Sequence, residues 1–170
     1  KSKQMTMDFK TKGATIYMLG EIVDDINCSE YLYSYKGVKL SPAPYFNLEK
    51  EANMQRTLSD LINQGVIESA HDISEGGLFI AVLESAMIRN MGFEIYSAGE
   101  VRLDSFLFGE SQGRAIVTVC QGKENEFFDM LNIAGVNCCA VGNVRDDEEI
   151  IVDEEVFGKI SKYKQMYDNT

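Results

Sequence analysis

The chain has 170 residues, 45% of them apolar, and 27 acidic against 16 basic side chains give it a net charge of -11 at pH 7. That length is enough for one compact core, and the charge argues against a nucleic-acid binder, whose affinity rests on clustered Lys and Arg. No apolar stretch reaches the ~20 residues of a membrane-spanning helix, and residues 1–12 lack the apolar centre of a signal peptide.

In chain order, Ala14 to Leu19 is short, apolar and closed by Gly20, which predicts a buried strand. Ser29 is placed to cap a short helix carrying Tyr31, Leu32 and Tyr35, and Gly37 to Pro44 holds both prolines, the pattern of a flexible connection. Asn47 is a good N-cap for a helix running to Gln64, with Glu49 and Glu51 in the first turn and Gly65 as its stop. Met54, Leu58, Leu61 and Ile62 fall on one face of that helix, as core packing requires.

A first special loop follows the apolar pair Val66-Ile67. Ala70-His71-Asp72-Ile73-Ser74-Glu75-Gly76-Gly77-Leu78 holds the only histidine of the chain beside two carboxylates and a glycine pair. It sits where a strand hands over to a helix, whose first N–H groups are free to take an anion. A plainer reading fits the same residues: Gly76-Gly77 allows tight packing, Ser74 is an N-cap, and His71 is hydrogen-bonded to Asp72. Spacing alone does not choose between them. The next helix, from Leu78, is expected to stop at Gly92, with Glu84 on it solvated or paired, and Phe93 to Tyr96 alternates as a strand.

A second special loop, Phe108-Gly109-Glu110-Ser111-Gln112-Gly113-Arg114, feeds the clearest strand of the chain, Ala115 to Cys120. Its hydroxyl, amide and backbone N–H groups suit a phosphate or ribose, and Arg114 suits phosphate or a carboxylate such as Glu110. An ordinary turn before a strand has the same composition. Glu124 to Ala134 reads as a helix, Cys138 to Val144 as a strand, Asp146 to Glu149 as an acidic turn and Ile150 to Val152 as a strand. Asp153 is placed to cap a terminal helix or linker start over residues 153–170, bearing Val156, Ile160 and Tyr163, with Lys159, Lys162 and Lys164 on its solvated face.

Strands and helices interleave without a long regular βαβ series, so the expected class is α+β, a mixed sheet covered by helices in a sandwich-like arrangement. Cys28, Cys120, Cys138 and Cys139 form no CxxC pair, so zinc is not expected and buried reduced thiols in the cytoplasm are. There is no nucleophile elbow, no Walker motif and no GxGxxG, so no catalytic residue and no metal ligand is assigned.

Four segments carry a resemblance: Ile16 to Glu21, Ser29 to Leu32, SAHDISEGGL from Ser69 to Leu78, and LFGESQGRAIVTV from Leu107 to Val119. Taken in order, they resemble the last synthetase domain of the phosphoribosylformylglycinamidine synthase family, within the C-terminal-domain family shared with aminoimidazole ribonucleotide synthetase. The resemblance runs from about Thr11 to about Val144. It implies the fold of that C-terminal domain and a place in an ATP-dependent carbon–nitrogen ligase of purine biosynthesis. That enzyme converts formylglycinamide ribonucleotide and glutamine-derived ammonia to formylglycinamidine ribonucleotide.

By the same resemblance, Ser111, Gln112, Gly113 and Arg114 bind or frame a phosphate-bearing ligand, and His71, Asp72, Ser74, Gly76 and Gly77 line the cleft. ATP and Mg belong to the complete enzyme, with neither expected on this chain alone. The implied partners are other synthetase domains, a glutaminase domain or subunit, and the ribonucleotide substrate, with no nucleic acid and no membrane. The expected unit is a single C-terminal-type domain over residues 1–170, a piece of a longer enzyme that starts at Lys1 rather than Met and is inactive alone. Asn27-Cys28 departs from the family, which often has two glycines there. The alternatives are a non-catalytic nucleotide- or phosphate-binding module and a structural domain of a related ATP-dependent synthetase.

Overall fold

The computed structural model describes residues 4–169, so Lys1 and Thr170 lie outside the described residues. Side-chain alternation explains the centre of the fold. In β1 (Thr15–Leu19), Ile16 and Met18 pack into one apolar cluster while Tyr17 and Leu19 pack into another, so the strand is covered on both faces. Its neighbours are β4 (Ala115–Val119) and β5 (Cys138–Val144), both antiparallel to it. With β2 (Ile67–Asp72), β3 (Phe93–Ile95), β6 (Glu149–Val152) and β7 (Glu155–Lys159) they form a seven-stranded sheet in the order β2-β4-β1-β5-β3-β6-β7. The β3–β6 pair is parallel, which makes the sheet mixed.

On one face, α1 (Leu48–Gln64) and α4 (Glu124–Ala134) bury Met54, Leu61, Phe127 and Leu131 against Leu19, Ile67, Val117 and Val119. On the other, α2 (Gly77–Met87), α3 (Leu103–Phe108) and α5 (Ile160–Asp168) bury Leu78, Val82, Phe106 and Ile160 against Ile16, Met18, Phe93 and Ile116. The α+β reading holds. So do both ends of α1, where Asn47 Oδ1 accepts the Lys50 N–H at 3.0 Å and Gly65 closes the helix in the left-handed region. None of the helices among the described residues is long and apolar enough to cross a membrane.

Three expectations are corrected and one helix is added. The helix after the first loop ends at Met87, and the left-handed residue beyond it is Asn90, at φ 53°, rather than Gly92. Gly92 has a different task, because a Cβ there would lie 2.4 Å from the Glu149 carbonyl oxygen. Asp153 does not cap a helix: with Glu154 it takes positive φ, 48° and 71°, and makes a two-residue hairpin turn into β7. Val156 and Lys159 therefore belong to β7 and the last helix begins at Ile160, while Asp153 Oδ1 accepts the Ser97 N–H at 2.8 Å. The six-residue α3 was not foreseen, since so short a helix carries too few turns to show a 3.6-residue period. Cys120, Cys138 and Cys139 are half-buried rather than buried and Cys28 is exposed; none of the four is in a disulfide, and burial pushes the Cys138 thiol up to about 12.

Asp8 ties the N-terminal segment to the region beyond α2. Its carboxylate accepts from Arg89 Nε at 2.6 Å, and Phe9 N–H bonds to the Ser85 carbonyl. Burial pushes the Asp8 carboxyl up, but hydrogen bonds from Thr6 and Arg89 and the charge of Lys10 outweigh it and hold the group at about 2 instead of 3.8. The unfolded chain therefore binds the proton first as pH falls. Asp8 contributes about 2 kcal/mol above pH ~4 that is lost towards pH ~2. Asp8→Asn should lower stability at pH 7 by about that amount and flatten the acid limb of a denaturant titration over the same window; an acid limb identical to wild type would contradict this.

Candidate ligand pocket beside the second loop

Strand pairing brings the two special loops to one end of the sheet. β2 and β4 run antiparallel with His71 opposite Ile116 and Asp72 opposite Ala115, and Ile73 N–H donates to the Arg114 carbonyl at 3.0 Å. Beyond that bond the backbones touch. Gly77 has φ +68°, and a Cβ on it would sit 2.7 Å from the Leu107 carbonyl oxygen and 2.8 Å from that of Gly109, so a larger residue has no room.

The N-terminus of α2 attracts an anion as its sequence suggests, but the protein supplies it. Glu110 Oε1 accepts the Gly76 N–H at 2.9 Å and also the Glu30 N–H at 2.8 Å. A free amide at this helix start was the expectation, and Glu110 fills that role. Ser74 is exposed and makes no side-chain cap; its carbonyl accepts the Gly77 N–H, and the cap position is Gly76 in the left-handed region. His71 is tied chiefly to α2, with Nε2 2.8 Å from Glu84 Oε2, whereas the exposed Asp72 lies 3.6 Å from Nδ1. Glu84 Oε1 in turn accepts the Tyr167 hydroxyl at 2.9 Å, so it is paired across to α5, and that bond raises the Tyr167 pKa.

Arg114 supports the second loop from behind. It is only 5% exposed, donating Nε–H to the Ser111 carbonyl at 2.9 Å and Nη2–H to the Gly109 carbonyl at 2.7 Å. Its bonds are thus to the loop backbone rather than to Glu110 or outward to a ligand, because the guanidinium fork fits two carbonyls of one tight turn. Burial lowers its pKa to about 10, against the opposing pull of Asp25, Cys139 and Glu110.

In front of the loop lies a cavity of about 290 Å³ lined by Ser111, Gln112 and Gly113, by Gly20 and Glu21 after β1, and by Asn47, Lys50 and Glu51 at the start of α1. Tyr45 and Phe46, both exposed, stand on its lining as well. Lys50 Nζ is bonded to Glu21 Oε1 at 2.5 Å, and Glu51 lies against Gly113, where a Cβ would be 2.7 Å from Oε2. The buried Ser111 hydroxyl has no hydrogen-bond partner. Gly76 and Gly77 meet the second loop and His71 and Asp72 pair with β4, but neither these four nor Ser74 line this cavity. Among the described residues no three His, Cys, Asp or Glu side chains converge as a metal site.

Residues 11–154 match the family described as AIR synthase related protein, C-terminal domain. The chain belongs to this family. This AIR-synthase-type domain is 40% identical over 152 residues to the phosphoribosylformylglycinamidine synthase subunit PurL of Caldanaerobacter subterraneus, covering 89% of this chain and 21% of that protein. Two solved structures share its fold. T. maritima PurL complexed with FGAR has a TM-score of 0.76 at 16% identity, covering 93% of this chain and 29% of that one. T. maritima PurL complexed with ATP has a TM-score of 0.71 at 13% identity, covering 95% and 27%. The chain thus spans about a fifth of the length of the curated relative it matches.

The AIR-synthase-type match ends at Glu154, so β7, α5 and with them the Tyr167 bond to Glu84 lie beyond it. At the departure noted in the sequence, Cys28 takes φ 57°, a conformation glycine adopts without strain. The turn is held by the Cys28 N–H donating to Ser41 Oγ at 2.8 Å and its thiol to the Ser41 and Pro42 carbonyls.

Proposed function

We propose that this chain is the C-terminal AIR-synthase-type domain of a PurL-type phosphoribosylformylglycinamidine synthase. There it supplies part of the ribonucleotide or phosphate cleft for the ATP-dependent, glutamine-fed conversion of formylglycinamide ribonucleotide to formylglycinamidine ribonucleotide. The observation that carries the reading is the convergence of Ser111, Gln112 and Gly113 with the first turn of α1 on one cavity, in a chain 40% identical to a PurL subunit.

In this reading each residue has a limited task. Gly113 and Gln112 offer backbone and amide groups, Asn47 and Lys50 at the start of α1 line the same space, and Arg114 fixes the turn from behind. His71, Asp72, Ser74, Gly76 and Gly77 form the adjoining wall, facing a neighbouring domain. The cavity's charged lining is Glu21, Asp25 and Glu51 against Lys50, so a phosphate here needs positive charge from outside the chain. Magnesium, when bound in the complete enzyme, neutralises phosphate charge during phosphoryl transfer. Its ligands and those of ATP are assigned to the other synthetase domains and ammonia delivery to a glutaminase, so the chain alone is inactive, and the assembly works in the cytoplasm.

Gly113→Asp in the complete enzyme tests this. A further carboxylate beside Glu51 should raise the KM for the ribonucleotide by about tenfold or more, with the variant still folded. Unchanged kinetics would remove the second loop from the cleft.

A further inference from the structure

We propose that Glu110 is the positioning residue of this pocket. Its carboxylate pins the connection between β1 and α1, and the first loop, onto the second loop, and so sets the shape of the cavity without lining it. The inference rests on the function proposed above.

Three segments distant in sequence meet at one oxygen. Glu110 Oε1 accepts the Glu30 N–H at 2.8 Å and the Gly76 N–H at 2.9 Å, and Glu110 itself belongs to the turn that carries Ser111 to Gly113. The surroundings are shaped to this meeting. The Tyr31 ring lies flat on Phe108, with centroids 5.1 Å apart and an interplanar angle of 2°. A Cβ on Gly109 would fall 2.5 Å from the Asp25 carbonyl oxygen, and one on Gly77 2.8 Å from that of Gly109. Backbone thus touches backbone on both sides of the carboxylate.

The consequence for the pocket follows from where the connection goes. It contributes Val23 and Asp25 to the cavity before the Glu30 anchor, and Tyr45 and Phe46 after it. Between them the chain makes one π-helical turn, Tyr31–Tyr35, and then runs without regular structure, with Tyr35 and Leu40 exposed. Its hydrogen bonds run largely within itself, among them Ser29 Oγ to the Ile26 carbonyl, Lys36 N–H to the Tyr31 carbonyl and Cys28 N–H to Ser41 Oγ, whereas the Glu30 N–H bond ties it to the second loop. A segment bonded mainly to itself takes its place on the domain from the contacts that anchor it, here the Glu110 carboxylate and the Tyr31–Phe108 stack. A carboxylate accepting two backbone N–H groups is a strong anchor, because charge-assisted bonds exceed neutral ones.

The test uses the full-length subunit carrying this domain, with steady-state kinetics and amide hydrogen exchange followed over residues 24–35 and 73–79. Glu110→Ala should speed exchange in both segments by about tenfold and raise the ribonucleotide KM by about tenfold, leaving kcat within about twofold. Glu110→Gln keeps an acceptor oxygen in place and should recover most of both effects, which also covers the case of an alanine variant that does not fold. Unchanged exchange in Glu110→Ala would overturn the proposal, even if KM rose, since Glu110 would then act by touching the ligand. If the wild-type subunit has no activity on the ribonucleotide, the proposed function falls while exchange still decides the anchor.

Discussion

Gly77→Ala should cost about 3 kcal/mol of stability, combining a left-handed backbone that disfavours any Cβ with a collision against main-chain atoms. At φ +68° the added methyl would lie 2.7 Å from the Leu107 carbonyl oxygen, 2.8 Å from that of Gly109 and 2.8 Å from the Phe108 carbonyl carbon. None of these is the free end of a side chain, so relief requires moving the second loop away from α2. For a domain of this size the loss corresponds to a fall in Tm of about 6–12 °C. Gly76→Ala is the informative comparison. Its new methyl would meet the Ile80 side chain, 2.4 Å from Cγ1 and 2.8 Å from Cβ, so relief shifts Ile80 within α2 rather than the second loop, and its cost should be smaller, about 2 kcal/mol. A Gly77→Ala variant within 1 kcal/mol of wild type would show that the two loops are not packed as described.

The second large effect is expected at Arg114. Replacing it with Leu leaves the Ser111 and Gly109 carbonyls, both on buried residues, without their donors, and should destabilise the chain by about 3 kcal/mol. Lys should not restore it, since one ammonium cannot reproduce a fork that spans two carbonyls. Thermal melts of the two variants measure this directly. In the complete enzyme the same substitutions should weaken ribonucleotide binding, because Ser111 and Gly113 would no longer be held in place. An Arg114→Leu variant as stable as wild type would contradict the role assigned to the guanidinium.

The sequence reveals most about those parts of the structure fixed by local rules. Asn47 and Gly65 mark both ends of α1 because capping and left-handed closure act within a few residues. The same holds for α4, closed by Gly135, and for the apolar strand at Ala115. The misreading at Asp153 arose from a local ambiguity, since Asp serves equally as an N-cap and as a left-handed turn residue, and only pairing of β6 with β7 decides between them. The site was legible in one half. Ser111, Gln112 and Gly113 of the cavity lining stand out by composition, but Arg114 lies behind the loop, and Lys50 and Glu51 do not stand out, because nothing in their spacing shows that α1 starts opposite a loop some sixty residues later.

His71 and the glycine pair illustrate the opposite case. Their residue types suggested an open anion site, yet Glu84 takes the imidazole and Glu110 takes the helix amide. Both partners come from other segments of the chain. An acidic residue next to a candidate anion site is the signal that was available, and Glu110 stands directly before Ser111 in the sequence.

The central claim, that this chain is one domain of a larger amidine-forming ligase, is tested most directly by complementation in trans. A PurL-type enzyme lacking its C-terminal AIR-synthase-type domain is mixed with this chain, ATP, magnesium, glutamine and formylglycinamide ribonucleotide, and formation of formylglycinamidine ribonucleotide is followed. Restored synthesis by the mixture, with none from either part alone, is the predicted result. A folded chain that restores nothing would contradict the account.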